Sequence, residues 1–469
     1  YYAVVSYDRG DAELMIAPVE CSKTITVNPE TGEVLLDVNT VAVVPRTMTA
    51  GYIASTFTDS LPDQIQGSGT GLINLEIIDQ TAIQDQNDYK IIFSEDDGLN
   101  YSVYDEQEVF DTLIARLGNY HKLSHQNIDS LTFELYNSNG VLLSKGSDYD
   151  LFDSDGQILI HNDGSINDSE QIVANFLYYP IKNSKKLALE ESNPIFDGIA
   201  LSVQNDVLEL DEGKIGWNPG SSTNWVSTVK PFNNIGNNKY PADYELRWFN
   251  ENVSNNYRPG YEYVQANFEI WETTRGIEPR QLPFIVIETA PFDSLWNPGE
   301  RIIILQDSSM SSLSWELTFD TTDAPIAPVE GDVFSIFTTR AFVDDIFSFS
   351  TYSSKEDIIV EKNNMDDIYV VPNPYVVSSN IEPLDLQNPL DRGPRRVYFS
   401  NLPSNCTIDI YTISGELVRS LKHNSSIEDG IKYWDLTTSD NFPVSFGMYI
   451  FHVKSDNGNE STGRFAVIK

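Results

Sequence analysis

The sequence predicts an all-β protein made of tandem β-sandwich modules, of the immunoglobulin-like, fibronectin-like or jelly-roll-like kind, with at most one or two short helices. Two patterns indicate this fold class. Short segments rich in Tyr, Phe, Ile, Val and Thr alternate apolar and polar residues, and clusters of Asn, Asp, Gly, Ser and Pro separate them every ~8 to 15 residues. At 469 residues the chain has room for about three domains of roughly 150 residues each.

The charge of the chain argues against two classes of partner. Lys and Arg number 30 against 70 Asp and Glu, which gives a formal net charge of −40. Such a surface repels the phosphate backbone of nucleic acids and anionic lipid headgroups. We therefore expect no nucleic-acid partner. No run of about 18 apolar residues occurs, so the sequence also predicts no transmembrane segment.

The two cysteines, Cys21 and Cys406, lie in different predicted modules. They are too far apart in sequence to indicate a disulfide framework or a metal knuckle, and we expect both to be small buried apolar residues. The sequence opens at Tyr1 within a strand-like run, without an initiator Met or a signal peptide. We therefore expect a mature or trimmed piece of a longer secreted chain.

The first predicted module spans residues 1–44. Its opening runs, Tyr1-Tyr-Ala-Val-Val-Ser-Tyr-Asp8 and Ala17-Pro-Val-Glu-Cys-Ser22, resemble the last two strands of a fibronectin type III module. We expect residues 2–7 to pair with residues 24–27. Two strands cannot enclose a core, so this half-module needs a cover: upstream sequence, the following strand at 34–44, or a second copy of the chain.

A linker and a second module follow. Residues 45–70 indicate an extended linker, since they are rich in turn residues and reach a Gly-Ser-Gly-Thr-Gly sequence at 67–71. The β-rich module at 71–190 contains a clear hairpin, in which Asn-Ser-Asn-Gly at 137–140 favours a turn.

One helix is predicted in this second module, near residues 105–117. Five apolar residues between 109 and 117 would form one face of that helix. Asp105 and Glu108 fit a capping box at its start, and Gly118 fits a stop at its end.

The third module, residues 193–352, is rich in aromatic residues. Flat tryptophan rings can line a sugar-binding face, but tryptophans in alternating strands more often fill a sandwich core. We expect the core role for Trp248, Trp271 and Trp315. The other tryptophans of the module are Trp217, Trp225 and Trp296.

The last module, residues 366–469, carries six motifs in a fixed order. They are Val371-Pro-Asn-Pro-Tyr375, Val397-Tyr-Phe-Ser-Asn-Leu-Pro403, Thr407-Ile-Asp-Ile-Tyr-Thr-Ile-Ser-Gly-Glu-Leu-Val418, Trp434-Asp435, Gly447-Met-Tyr-Ile-Phe-His-Val453 and Gly463-Arg-Phe-Ala-Val-Ile-Lys469. Together they resemble the type A C-terminal sorting domain of the Bacteroidetes-type (type IX) secretion system, a small immunoglobulin-like sandwich. The loop from Leu436 to Pro443 departs from the family, which usually has a Gly-rich turn there.

The resemblance implies that this module is an export signal for the secretion translocon and that the protein is displayed or released outside the cell. Independently of the family, Trp434 is the natural large core residue, Gly415 supplies a turn, and Gly447 allows a bend or a close approach. The positions matched to the sorting motif are Pro372, Asn373, Pro374, Gly415, Glu416, Val418, Trp434, Gly447, Tyr449 and Lys469.

Catalytic motifs are mostly absent. The Gly-rich sequence at 67–71 lacks the spacing of a nucleophile elbow and the Lys of a phosphate loop. His121 and His125 are four residues apart, but Gly118 ends the predicted helix before them, so a zinc site is disfavoured. Acidic pairs are too numerous for the sequence to select a glycosidase pair. The sequence therefore favours a protein that is not an enzyme.

Calcium is the cofactor that the sequence favours most. Asp148, Asp150, Asp153 and Asp155 form an oxygen-rich segment with Gly156, of the kind that binds hard cations. The segment is not an EF-hand, because an apolar residue occupies the first ligand position and no Glu stands at the twelfth. The competing interpretation is a solvated acidic turn.

Two functions from different classes remain. The first is a secreted cell-surface protein with a structural, adhesive, filament or surface-layer role, which would have the translocon and other copies of itself as partners. The alternative is a carbohydrate-binding or carbohydrate-active extracellular protein that binds surface glycans. Its active part would lie upstream of Tyr1 or within residues 193–352.

Overall fold

The computed structural model describes residues 2–8, 10, 19–27, 34–41, 46–232, 240–257, 263–309, 311–376 and 395–468. The fold is all-β, as the alternating pattern predicts, with one short α-helix in the described residues. The chain divides into two compact units. The first joins residues 1–55 to residues 354–469, and the second comprises residues 56–353.

The first unit begins with short strands. They are β1 (Tyr2–Ala3), β2 (Tyr7–Asp8), β3 (Val19–Glu20), β4 (Ile25–Val27), β5 (Val34–Leu36), β6 (Thr40–Val41) and β7 (Tyr52–Ile53).

The second unit holds the next 25 strands. They are β8 (Thr56–Phe57), β9 (Asp63–Gln66), β10 (Leu72–Ile77), β11 (Asn87–Ser94), β12 (Asn100–Ile114), β13 (Tyr120–Lys122), β14 (Glu134–Tyr136), β15 (Tyr149–Phe152), β16 (Gln157–Ile160), β17 (Gln171–Ser184), β18 (Ile199–Gln204), β19 (Glu209–Leu210), β20 (Gly216–Trp217), β21 (Val226–Pro231), β22 (Tyr244–Trp248), β23 (Ser254–Asn255), β24 (Gln265–Ala266), β25 (Phe268–Glu272), β26 (Arg280–Leu282), β27 (Phe284–Ile287), β28 (Arg301–Leu305), β29 (Leu313–Asp320), β30 (Val333–Ile336), β31 (Thr338–Thr339) and β32 (Ile346–Tyr352).

The first unit resumes with strand β33 and a helix. Its remaining elements are β33 (Lys355–Glu356), α1 (Ile358–Asn364), a 3-10 turn (Met365–Asp367), β34 (Tyr369–Val371), β35 (Tyr375–Val376), β36 (Val397–Ser400), β37 (Asn405–Thr412), β38 (Leu417–Asn424), β39 (Lys432–Trp434), β40 (Gly447–Ser455) and β41 (Glu460–Ile468). The described helical segments are far too short to cross a bilayer.

The N-terminal strands form three separate pairs, β1 with β6, β2 with β3 and β4 with β5. The expected pairing of residues 2–7 with 24–27 is therefore wrong, because residues 25–27 pair with β5 instead. The side chains of Tyr2 and Tyr7 are largely exposed. These pairs enclose no core among the described residues.

A long sheet organises the first part of the second unit. Its strand order is β14-β17-β12-β11-β32-β8, and β9 also pairs with β32. One half of this sheet packs against the β10-β18 pair around Tyr89, Tyr101 and Phe342. The other half packs against the β13-β16-β15 sheet around Ile158 and Phe176.

A sandwich forms the second part of this unit. The five-stranded sheet β20-β30-β22-β25-β26 faces the four-stranded sheet β21-β29-β28-β27. Buried aromatic residues from both sheets fill the space between them, including Trp248, Phe268, Trp315 and Phe319. The expected core role of Trp248 and Trp315 is thus confirmed.

The predicted helix at 105–117 is wrong, because residues 105–114 belong to strand β12 and reach its end. From residue 109 to residue 114 burial alternates with period two, so Val109 is half-buried while Phe110 is exposed. Pairing with β17 extends to Ile114, and this long ladder overrides the local helical pattern. Asp105 is a buried strand residue rather than a helix cap.

The predicted linker at 45–70 is also corrected. Residues 63–66 form β9 on the edge of β32, and the glycines that follow are packed rather than free. A Cβ atom on Gly69 would lie 2.4 Å from the Phe342 ring, and one on Gly71 would lie 2.4 Å from the carbonyl oxygen of Gln204. The backbone at these two glycines therefore approaches Phe342 and Gln204 so closely that a side chain would clash.

The C-terminal module is a two-sheet sandwich, as expected of an immunoglobulin-like domain. The sheet β34-β36-β39 packs against the sheet β35-β41-β40-β37-β38. Trp434 lies in the core between the sheets and is 1% exposed, which confirms its expected burial. Its indole Nε1 donates to the Thr437 carbonyl oxygen at 2.9 Å.

Residues outside 366–469 complete this module. The Glu361 carboxylate of α1 is buried and accepts three hydrogen bonds, from Ser455 Oγ at 2.6 Å and from the side-chain amides of Asn457 and Asn459 at 2.8 Å. Residues 46–53 also join it, since the Thr49 amide donates to the Ile427 carbonyl and β7 pairs with β33. The folded unit therefore begins well before residue 366.

Candidate functional site

Several positions of the motifs that resemble a sorting domain lie at one end of the five-stranded sheet. Strand pairing places Thr412 opposite Tyr449 and Gly447 opposite Val467. Strands β37 and β41 therefore end where β38 and β40 begin. The turn between β37 and β38 contains Gly415, whose φ of 87° lies in the left-handed region that glycine tolerates. Glu416 is exposed in the same turn.

The Pro-Asn-Pro segment binds the last strand. Both prolines follow cis peptide bonds, and β35, which begins directly after Pro374, pairs in parallel with β41. The Asn373 side-chain oxygen accepts a hydrogen bond from the Ala466 amide at 3.2 Å. The motif residues 372–374 thus contact the strand that ends the described chain.

Three more motif positions have structural roles that the contacts explain. Val418 and Tyr449 lie in the core of the module, and the Tyr449 hydroxyl donates to the Ser445 carbonyl at 2.6 Å. The close approach expected at Gly447 is absent, because a Cβ there would meet no described atom within 4 Å. Lys469 lies outside the described residues.

Apolar side chains are exposed at this same end of the sheet. We name them the strand-end patch: Ile413, Leu417, Phe446, Met448 and Ile468. Ile413 is 74% exposed and Phe446 is 54% exposed. Exposed apolar clusters commonly mark protein interaction sites. The sequence analysis missed the patch, because only the strand register shows that these five residues share one end of the sheet.

The acidic segment places Asp148 in a structural role. Its Oδ1 accepts from the Ser165 amide at 2.6 Å and from the Ser165 hydroxyl at 2.7 Å, and its Oδ2 accepts from the Ser144 amide at 2.8 Å. These bonds, led by that from the Ser165 amide, lower the pKa of the Asp148 carboxyl. The Asp148 carboxylate therefore joins two loops of the protein itself.

The other predicted calcium ligands do not gather around Asp148. Asp150 Oδ2 lies 3.0 Å from His161 Nε2, and Asp153 pairs with Lys182 at 3.6 Å. Asp155 lies exposed in the turn between β15 and β16. Within the ranges that the structure covers, no three His, Cys, Asp or Glu side chains are placed to hold a metal.

The calcium site stays a prediction, and thermal unfolding tests it. If the segment binds calcium specifically, calcium should raise the melting temperature more than magnesium does at equal ionic strength. The reason is that a ligand that binds only the folded state stabilises it by mass action. The Asp155→Asn variant should then lose part of the difference. An identical response to both ions would contradict the hypothesis and identify an ordinary acidic surface.

The histidines and cysteines show no catalytic arrangement among the described residues. The Arg116 amide donates to His121 Nε2. The centre of the His125 ring lies 4.1 Å from the centre of the Tyr178 ring. The two histidines therefore make different contacts. Cys406 is buried as expected, and burial raises its pKa to about 12. Cys21 is half-buried rather than buried, which corrects that expectation.

Five of the six tryptophans of the aromatic module pack in or against its core. Trp217, Trp225 and Trp296 pack on the core with Trp248. Trp271, expected in the core, is instead half-buried on the outside of its sheet, where the Arg247 guanidinium lies 4.8 Å from its ring centre. This cation occupies a ring face that a sugar would need.

Comparisons with known proteins give only remote similarity. No family model matches the chain, and no curated protein matches it. Among solved structures, it is similar to PorZ, a surface component of the type-IX secretion system of Porphyromonas gingivalis, with 16% identity, a TM-score of 0.18, and coverage of 43% of this chain and 21% of PorZ.

Two further solved structures cover most of the chain. Dimeric latent PorU from Porphyromonas gingivalis has 13% identity and a TM-score of 0.15 over 93% of this chain and 35% of PorU. The BSP domain of a biofilm-associated protein has 9% identity and a TM-score of 0.15 over 92% of this chain and 84% of that domain. The chain thus spans about a fifth of PorZ and a third of PorU, and TM-scores this low carry no argument.

Proposed function

We propose that the protein is a secreted bacterial cell-surface protein with a structural or adhesive role, exported by the type IX secretion translocon through its C-terminal module. The observation that carries this proposal is that four of the motif positions lie at one end of the five-stranded sheet. Gly415, Glu416, Gly447 and the Asn373 contact all lie where the last strand ends, while Trp434 lies on the facing sheet.

The strand-end patch is the proposed contact for the translocon. A soluble domain gains nothing by exposing Phe446 and Met448 to water, since burying apolar surface is favourable by about 25 cal/mol per Å². A partner that covers the patch would recover that free energy. The patch also includes Ile468 of β41, so the partner would contact the last described strand at the same time.

The remaining modules fit the role of a rigid outer surface or spacer. Five of the six tryptophans of residues 193–352 pack in or against the core, which favours the structural role over carbohydrate recognition there. The large negative charge favours the solubility of such modules outside the cell. Association between copies of the chain is part of the same proposal.

Export of a patch variant tests the translocon contact. In a bacterium that carries the type IX system, we expect the full chain with Phe446→Ser and Met448→Ser to accumulate in the periplasm, while the unaltered chain reaches the surface. Both side chains are exposed, so the variant should keep the melting temperature of the parent. Surface protein is measured by protease accessibility on intact cells.

A matched control separates this patch from exposed apolar surface in general. Ile358 and Ile359 are exposed on α1 of the same unit, and their replacement by Ser should leave export unchanged. Normal display of the Phe446 and Met448 variant would contradict the assigned contact. Normal display after removal of residues 366–469 would contradict the whole sorting proposal.

A further inference from the structure

A cavity of about 380 Å³ opens on the second unit. The loop at 122–127, the middle of β17 and the turn before β18 line it. Its walls include the rings of His125, Tyr178, Tyr179 and Phe196. Its volume suits one side chain or one small organic molecule.

A carboxylate faces this cavity. Asp197 lines it, with a backbone φ of 46° in the left-handed region. Its Oδ2 accepts from the Tyr89 hydroxyl at 3.0 Å and from the Tyr178 hydroxyl at 3.5 Å. No described residue donates to its Oδ1. The two tyrosines therefore hold the carboxylate in place and leave one of its oxygens available.

A second carboxyl group lies behind the wall of the cavity. Asp105 is 2% exposed, between Tyr89 of β11 and Tyr178 of β17, where the register of β12 shifts. Burial raises the pKa of the Asp105 carboxyl, and the nearby Asp197 adds to this shift. Burial and the same two carboxylates raise the pKa of Tyr178 as well. Two carboxyl groups and the Tyr178 hydroxyl thus lie close together beside the cavity.

Neither carboxyl group is held by an ion pair in the described part of the chain. Neither Asp105 nor Asp197 forms an ion pair with Lys, Arg or His there, although 14 such pairs occur elsewhere. A carboxylate in a low-dielectric site is unfavourable without a partner of opposite charge. Aromatic walls attract a cation further through their ring faces.

We propose that this cavity binds an organic cation, a guanidinium or ammonium group on an apolar stem, with Asp197 as its direct partner and the aromatic rings around the stem. The ligand would be an Arg or Lys side chain of a peptide or a free amine of the same chemistry. The net charge of −40 attracts such cations over distance. This site is independent of the proposed export signal.

Substitution of Lys122 gives a second test, in which binding of the cation should become stronger. Lys122 lines the cavity and is exposed, so its ammonium group repels a bound cation without contributing to the fold core. Its removal should therefore strengthen binding. A neutral ligand such as a sugar would not respond in this direction.

Calorimetric titration of the full chain tests the site with two compounds of nearly equal shape. N-acetyl-arginine amide carries a guanidinium, and N-acetyl-citrulline amide is neutral. We expect only the first to bind. Asp197→Asn should weaken its binding on the order of ten- to a hundredfold, as expected for loss of a charge-assisted hydrogen bond. Lys122→Gln should strengthen it by about two- to fivefold.

The controls give each outcome a meaning. Asp163→Asn removes the same charge at a position beyond the other end of β16, and it should leave the affinity for the arginine compound unchanged. An equal loss of affinity in this variant would show that the net charge of the protein attracts the ligand, and it would overturn the site. Equal binding of the citrulline compound, or binding of a neutral hexose instead, would also overturn it. A glycine pentapeptide with a central Arg should bind more tightly than the amide if the natural ligand is a peptide, and equally if it is a free amine.

Discussion

Replacing Trp434 with Ala should lower the free energy of unfolding of the first unit by about 3 to 5 kcal/mol, the usual cost of deleting a large buried aromatic side chain. The ring lies between the two sheets, with the Phe465 ring centre at 6.0 Å and that of Tyr449 at 6.3 Å. The variant also loses the Nε1 bond to Thr437. Both losses remove support from the loop at 436–443.

The measurement is amide hydrogen exchange in strands β37 and β40 of the full chain, because two units need not unfold together. Trp434→Phe should cost less, since a phenyl ring fills most of the space and only the hydrogen bond and part of the volume are lost. Protection factors that stay within about tenfold of the parent for Trp434→Ala would show that the ring is not part of the core.

Replacing Arg340 with Met should destabilise the second unit by about 3 to 5 kcal/mol, because it leaves a buried carboxylate without its cation. Arg340 and Asp243 are both nearly fully buried. The guanidinium binds Asp243 through Nη1 at 3.0 Å and Nη2 at 2.8 Å, and its Nε donates to the Ser68 carbonyl oxygen at 2.8 Å. One side chain thus joins the aromatic sandwich to the Gly-rich segment.

Urea denaturation followed by tryptophan fluorescence measures this loss, since five tryptophans lie in the aromatic core. Lys214→Met is the matched control: its pair with Asp211 is exposed, so the change should cost less than about 1 kcal/mol. Replacing Arg340 and Asp243 together by apolar residues should recover part of the loss. A midpoint unchanged by Arg340→Met would contradict the role assigned to the pair.

Local patterns predicted the fold class well, because period-two alternation reports directly which face of a strand is buried. Local patterns failed where residues far away in the sequence determine the structure. The helical pattern at 105–117 could not reveal the β17 ladder about 60 residues later. The glycines at 67–71 seemed a flexible linker, since nothing nearby in sequence indicates that Phe342 packs against them.

The candidate sites divide in the same way. The resemblance to a sorting domain was visible in the sequence, because the residues that carry it fall into short ordered runs, whereas the strand-end patch depends on strand register. The acidic segment suggested calcium by composition alone, and only the contacts reveal that Ser144 and Ser165 already bind Asp148. The Asp197 cavity draws on residues from 122 to 197 and left no local signal in the sequence.

The division of the first unit between the two ends of the chain has a consequence for the order of folding. Its halves are separated by an insertion of about 300 residues. Closing a flexible loop of that length costs about 5 kcal/mol in chain entropy. In the folded insertion, however, Thr56 and Tyr352 lie directly opposite each other in the β8–β32 pair. The folded insertion therefore brings the ends of the two halves together, and we expect the first unit to assemble after the second unit has folded.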